Sequence, residues 1–211
     1  MISVIILAAG SGLRMGIETP KQYLPLGTKT VIDYSLDWAK AFDQVIVVAD
    51  KKYHGLFPDF LAVEGGKRRQ DSVYNGLKVA KEEFILIHDA ARPFTKREDI
   101  EKLINEGKKT GAAALARPVP YTIKEADAQA HVIKTLDRSK LWEMQTPQFI
   151  RRDLLLKGYE NVYLHNLEVT DDVSIVETIG AKVKLVLGSS FNFKISTMED
   201  YKIAEALVGR I

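Results

Sequence analysis

The stretch "VIILAAGSGLRMG" (residues 4–16) decides how the rest of the chain is organised. Residues 4–7 are four apolar side chains in a row. That pattern marks a strand covered on both faces, as in a parallel sheet. The large side chains then stop at Ala8, Ala9, Gly10, Ser11 and Gly12, and Arg14 follows closely. Bare backbone where a strand turns into a helix lets amide N–H groups come close to something large and negative.

The same rhythm recurs outward from this stretch. "QVIVVAD", "LAVEGG", "EFILIHD" and "AAALARPV" read as further strands. Between them lie amphipathic helices. "VIDYSLDWAKAF" carries Ile32, Leu36 and Ala39 on one face after a T-x-x-D start at Thr30 and Asp33. "QDSVYNGLKVA" carries Val73, Leu77 and Ala80, and "TKREDIEKLINEGKK" begins with a T-x-x-E box at Thr95 and Glu98. Strand and helix in alternation imply an α/β fold: a doubly wound, mostly parallel Rossmann-like sheet. The rhythm breaks at about 121–136, where "YTIKEA" and "AHVIKTL" flank a small polar tip, a β-hairpin with no helix after it. It is expected either to lie on its own domain as an antiparallel edge or to reach a second subunit as an arm. Helices from Arg152 and Asp172, a strand "KVKLVLG", an extended "NFKIS" and a helix from Met198, capped by Thr197 and Asp200, complete the chain.

The 211 residues, 46% hydrophobic and 27% charged, fit a single domain spanning 1–211. A net charge of +2 gives no basic field for nucleic acid. The absence of cysteine removes disulfides, thiol nucleophiles and thiolate zinc sites, and suits a reducing, cytoplasmic setting. No run approaches the ~18 apolar residues of a membrane span, and no basic leader precedes the first strand.

Three readings of the glycine-rich turn compete on residue pattern. A dinucleotide turn wants G-x-G-x-x-G, whereas Gly10, Gly12 and Gly16 leave Met15 at the third glycine's place. The acid expected ~20 positions on is also missing, since Asp50 lies much too far along. A P-loop is absent, because "LGTKT" matches only its tail. The third reading is a nucleotide-triphosphate loop, with Arg14 beside it and Lys21 aimed back by the Pro-controlled segment "ETP". Ordinary solvated charges remain the alternative for Arg14 and Lys21.

Here the pattern becomes specific. "LAAGSGLRMG…PKQY", with "GGKRRQDSVYNGL", "HDAARPF" and "LDRSKLWEMQTPQ" in that order, resembles the 2-C-methyl-D-erythritol 4-phosphate cytidylyltransferase family of non-mevalonate isoprenoid biosynthesis. The resemblance runs nearly end to end. It implies transfer of CMP from CTP to the polyol phosphate, with pyrophosphate released. It also implies Arg14 and Lys21 as stabilisers of the five-coordinate α-phosphorus. Ala8, Ala9, Gly10, Ser11 and Gly12 would cradle base and triphosphate, with Gly66, Ser72 and Ala90 as further nucleotide contacts. Asp89, Arg92, Thr122, Arg138, Thr146, Thr170 and Lys194 would bind the acceptor. Thr122 and Arg138 would come from an arm shared across a homodimer. Magnesium (Mg2+) is implied, held by the CTP phosphates. Lys67, where a polar or acidic residue is expected, and Leu13 depart from the pattern.

Other residues read more plainly. His88 is a structural strand-end histidine, and His54, His131 and His165 make no metal-ligand spacing. Asp171 and Asp172 serve the dipole of the helix they open, and no residue is named as a metal ligand. Trp142 is expected to pack at the base of the arm. The competing functions are a ribitol-5-phosphate cytidylyltransferase, a non-catalytic nucleotide-binding module and, more remotely, a dehydrogenase.

Overall fold

A computed structural model of the protein describes residues 1–10, 15–16 and 18–210. The expectations placed on Ser11, Gly12 and Arg14 fall outside the described residues. The strands are β1 (Ile2–Leu7), β2 (Pro25–Leu26), β3 (Lys29–Thr30), β4 (Gln44–Ala49), β5 (Leu61–Glu64), β6 (Phe84–Asp89), β7 (Ala112–Pro118), β8 (Lys124–Ala126), β9 (Val132–Thr135), β10 (Trp142–Arg151) and β11 (Lys184–Leu187). The helices are α1 (Val31–Ala39), α2 (Arg69–Val79), α3 (Arg97–Thr110), α4 (Arg152–Leu164), α5 (Asp172–Glu177) and α6 (Met198–Leu207).

Seven strands form one sheet in the order β11-β7-β10-β6-β1-β4-β5. Pairing is parallel except around β10, which runs antiparallel to both β6 and β7. Alternating residues of β1 feed the two faces of the sheet. Val4 and Ile6 pack with Ile32 and Leu36 of α1 and Leu103 of α3. Ile5 packs with Val73 and Leu77 of α2 and with α4 and α5. Val4, Ile5 and Ile6 are fully buried, and each contributes about 1.5–3 kcal/mol by leaving water. This two-sided burial is the physical content of the unbroken apolar run.

The expected starts of α1 and α6 are present as reciprocal capping boxes, Thr30 with Asp33 and Thr197 with Asp200. The box expected at Thr95 and Glu98 is not formed. Lys96 is the cap of α3, and the Thr95 hydroxyl instead donates to the Asn192 side chain at 2.9 Å, a tie to the loop before α6. The stretch "WEMQTPQFI" is most of the interior strand β10. Its polar residues Gln145, Thr146 and Gln148 are buried, so no hydrophobic alternation announces it.

The hairpin β8–β9 forms its own two-stranded sheet, and every residue from 124 to 135 is exposed. It does not lie on its own domain, which overturns the edge-strand reading. Val132 and Ile133 remain 61% and 59% exposed. Trp142 starts β10 opposite Pro118 and is 36% exposed.

Candidate active site

The chain leaves β1 toward β4 on one side and later returns to β6 on the other, so the strand order reverses beside β1. Ligands bind outside the carboxyl ends of strands at such a reversal. A cleft of ≈ 650 Å³ opens there, within the range of small-molecule sites. Leu7, Ala9 and Gly10 supply one wall, Gly66 to Arg69 and Ser72 a second, and Lys21, Gln22, Asp89, Ala91, Lys194 and Ser196 the remainder.

The segment after Pro20 holds Lys21 in place. Gln22 Nε2 donates to the carbonyls of Ala8 and Gly10 at 2.6 and 3.0 Å, and the Tyr23 hydroxyl donates to Ala8 at 3.1 Å. The short helical turn carrying Lys21 is thereby stapled across the glycine-rich turn, and Lys21 is only 8% exposed. Ala8 is buried beneath that turn, while Ala9 and Gly10 face the cleft. Opposite them, Gly66 N–H donates to Ser72 Oγ at 2.9 Å. A Cβ on Gly66 would lie 2.4 Å from Asp71 Cβ, so the backbone of this wall is bare by necessity.

Asp89 ends β6 at the floor of the cleft. Its Oδ1 accepts from Arg69 Nε and Nη2 at 3.2 and 3.1 Å, and its Oδ2 accepts from Lys194 Nζ at 2.7 Å. Burial alone would raise its pKa. The cations of Arg69, Lys194 and Arg92 outweigh that, and the carboxyl stays well below the usual range. Arg69 reaches on to Asp172, which is fully buried, through Nη1 and Nη2 at 2.7 and 2.8 Å. Burial pushes the Asp172 carboxyl up, and Arg69 opposes the rise.

His88 is the structural histidine its position implies. Its Nε2 faces the Arg92 carbonyl at 3.2 Å, so that nitrogen carries the hydrogen. Nδ1 then accepts from the Thr146 hydroxyl at 3.0 Å, while Thr146 Oγ1 accepts from Asp89 N–H at 3.0 Å. Burial lowers the imidazole pKa from 6.5 to about 3.

The structure therefore brings Ala9, Gly10, Lys21, Gly66, Ser72, Asp89 and Lys194 together on one cleft. Others sit apart from its lining. Ala90 and Thr146 are buried, with the Thr146 hydroxyl committed as above. The Arg92 guanidinium donates to the Asn192 carbonyl at 2.7 Å, and its Nε is buried without a hydrogen-bond partner among the described residues. Thr122, Arg138 and Thr170 are exposed, and Arg138 donates to the Pro120 carbonyl at 2.8 Å. Sequence reasoning missed Gln22, Arg68, Arg69 and Ser196. For Arg69 a signal existed. A cation opening a helix opposes the helix dipole, and such a residue needs committed anions. Asp172, expected to serve the dipole of the helix it opens, is the buried half of that commitment.

The family model described as "IspD: 2-C-methyl-D-erythritol 4-phosphate cytidylyltransferase" matches residues 2–210. The chloroplastic protein of that name from Oryza sativa subsp. japonica is 45% identical, over 98% of this chain and 74% of its own length. Its counterpart from Desulforamulus reducens is 40% identical, over 99% and 96%. The crystal structure of 4-diphosphocytidyl-2C-methyl-D-erythritol synthase from Anaerococcus prevotii superposes with a TM-score of 0.86 at 34% identity, covering 98% of this chain and 95% of that one. A cleft at the strand reversal, full-length similarity to named relatives and a full-length fold match agree, and the chain belongs to the 2-C-methyl-D-erythritol 4-phosphate cytidylyltransferase family.

Proposed function

We propose that the cleft at the end of β1 is where this chain transfers CMP from CTP to 2-C-methyl-D-erythritol 4-phosphate. The products are CDP-methylerythritol and pyrophosphate, and the step belongs to isoprenoid biosynthesis. An oxygen of the acceptor phosphate forms a bond to the α-phosphorus as the bond to the pyrophosphate oxygen breaks. The attacking phosphate is already ionised, so no proton needs to be removed. The obstacle is repulsion between two anions, and fixed positive charge lowers it. The observation that carries this reading is the convergence of Lys21 and Lys194 on one cleft beside the bare backbone of Ala9, Gly10 and Gly66.

In this reading Lys21, with Arg14, stabilises the charge that builds on the α-phosphorus. Amides of the glycine-rich turn, Ser11 and Gly12 included, and the wall at Gly66 and Ser72 receive the nucleotide. Asp89 receives hydroxyls of the acceptor, and Lys194 lies beside it to meet phosphate. Arg92, Thr146 and Thr170 act behind or beside that pocket. Asp89 is the carboxylate among the described cleft-lining residues, and both its oxygens already carry cations, which makes it a poor metal ligand. A divalent ion, magnesium, would therefore rest on the triphosphate oxygens. Its chemistry there is to neutralise phosphate charge.

The arm supports a second part of the proposal. A hairpin of about a dozen exposed residues that covers no part of its own sheet fits a homodimer in which Thr122 and Arg138 reach the partner's acceptor pocket. The lack of cysteine suits the cytoplasm, and no described helix is long and apolar enough to cross a membrane. A net charge of +2 fits small-molecule rather than nucleic-acid partners. The test is pyrophosphate release with CTP and either methylerythritol phosphate or ribitol 5-phosphate. Release with the first and not the second is expected. Release only with ribitol 5-phosphate refutes the acceptor, and nucleotide binding without release from either refutes catalysis.

A further inference from the structure

The chemistry above leaves Asp172 without a task, although an ionised carboxylate at 0% exposure is costly unless it is fully paired. Its pairing is unusually directed. Both oxygens take the two terminal nitrogens of Arg69 at 2.7 and 2.8 Å. The Nε edge of the same guanidinium then meets Asp89 Oδ1 through Nε and Nη2 at 3.2 and 3.1 Å. One rigid fork thus spans two carboxylates, which fixes its own plane and, together with Lys194 on Oδ2 at 2.7 Å, that of Asp89. A lysine, with a single point charge, cannot do this. Asp172 is itself anchored. Its N–H and that of Val173 both donate to Gln148 Oε1 at 2.9 Å, and Gln148 is 1% exposed on β10.

We propose that Asp172 is a positioning residue for the acceptor alcohol: through Arg69 it sets the plane of the Asp89 carboxylate, and so which lone pair meets a substrate hydroxyl. The proposal rests on the reading above in which Asp89 receives acceptor hydroxyls. It also assigns Arg69 a role other than gripping phosphate. Held between two anions, its charge is already spent, and the nucleotide meets the remaining cations.

The test uses the full-length enzyme with Asp172→Asn and, separately, Arg69→Lys. Steady-state kinetics would be measured against both substrates. Calorimetric binding of methylerythritol phosphate would be measured in the presence of a non-hydrolysable CTP analogue. Misplacing the carboxylate by a fraction of an ångström should raise the KM and Kd of the acceptor by about tenfold, while the KM for CTP stays within about twofold. A merely structural role would lower the folded fraction and kcat without moving the acceptor's constants. Arg69→Lys carries the test if Asp172→Asn fails to fold. Unchanged acceptor constants in both variants, or an equal rise in the KM for CTP, overturn the proposal. A wild type that binds the acceptor with the variant defect intact yet releases no pyrophosphate refutes the reaction and keeps the positioning role. A wild type that binds no acceptor overturns both.

Discussion

Gly65→Ala tests whether the two walls of the cleft are set by backbone contact. Gly65 follows β5, and its N–H donates to the Ala49 carbonyl at the end of β4. A Cβ placed on it would stand 2.4 Å from Ala9 Cβ and 3.4 Å from Ser72 Oγ. Ala9 cannot swing aside, because its Cβ is rigidly attached to the turn that follows β1. Ordinary carbon contact is about 3.5–4.0 Å, so the walls must separate by roughly 1.1–1.6 Å. Overpacking of this kind costs about 1–3 kcal/mol. For a chain of this size that is a fall in Tm of about 2–12 °C. The functional cost should be larger, because a displacement of about 1 Å at a positioned substrate can remove about a hundredfold of rate. Thermal denaturation and pyrophosphate release across a range of CTP concentrations measure the two effects. Gly55→Ala, where a Cβ meets nothing within 4 Å, serves as the control and should match wild type. A Gly65→Ala enzyme with wild-type Tm and wild-type kcat/KM for CTP would refute the reasoning.

Lys21→Ala should lower kcat by about a hundredfold, roughly 3 kcal/mol, with a smaller change in the KM for CTP; undiminished turnover would remove it from the chemistry. His88 stays neutral in the fold because burial holds it at about 3, whereas the unfolded chain protonates near 6.5. The unfolded state therefore binds the extra proton below 6.5, and stability should fall there by about 1.4 kcal/mol per pH unit. Urea unfolding at pH 7.5 and 5.5 should show a shallower pH dependence in His88→Gln than in wild type, and identical slopes would contradict the buried neutral imidazole. Removing residues 121–136 should convert a dimer to a species of 23.7 kDa less the arm by light scattering. An unchanged number of subunits would reject the role proposed for the hairpin.

Local rules reached far in this chain. Residues 4–7 announce a doubly covered strand because every one of them is apolar, and the parallel α/β rhythm follows from its repetition. The capping boxes at Thr30 and Thr197 lie within four consecutive residues, so their chemistry is visible without the fold. Lys21, Asp89 and Lys194 were legible through motif resemblance, and they line one cleft. β10 was not legible, because its buried glutamines and threonine are satisfied by residues distant in sequence. Gln148, for example, serves Asp172 and Val173 at 2.9 Å. The failed box at Thr95 has the same origin, since Asn192 outbids the helix N-terminus for its hydroxyl.

Sequence by itself determined the alternation of elements, the bare turn after the first strand and the family, because each rests on residue types at short spacing. Tertiary structure alone decided that β10 enters the sheet antiparallel, that the hairpin stands clear of its own domain, and that Arg69 joins Asp89 to Asp172. Those outcomes depend on which polar groups meet once the sheet has closed. A cation that opens a helix can be seen to need an anion, but a buried carboxylate 103 positions away leaves no mark in that local sequence.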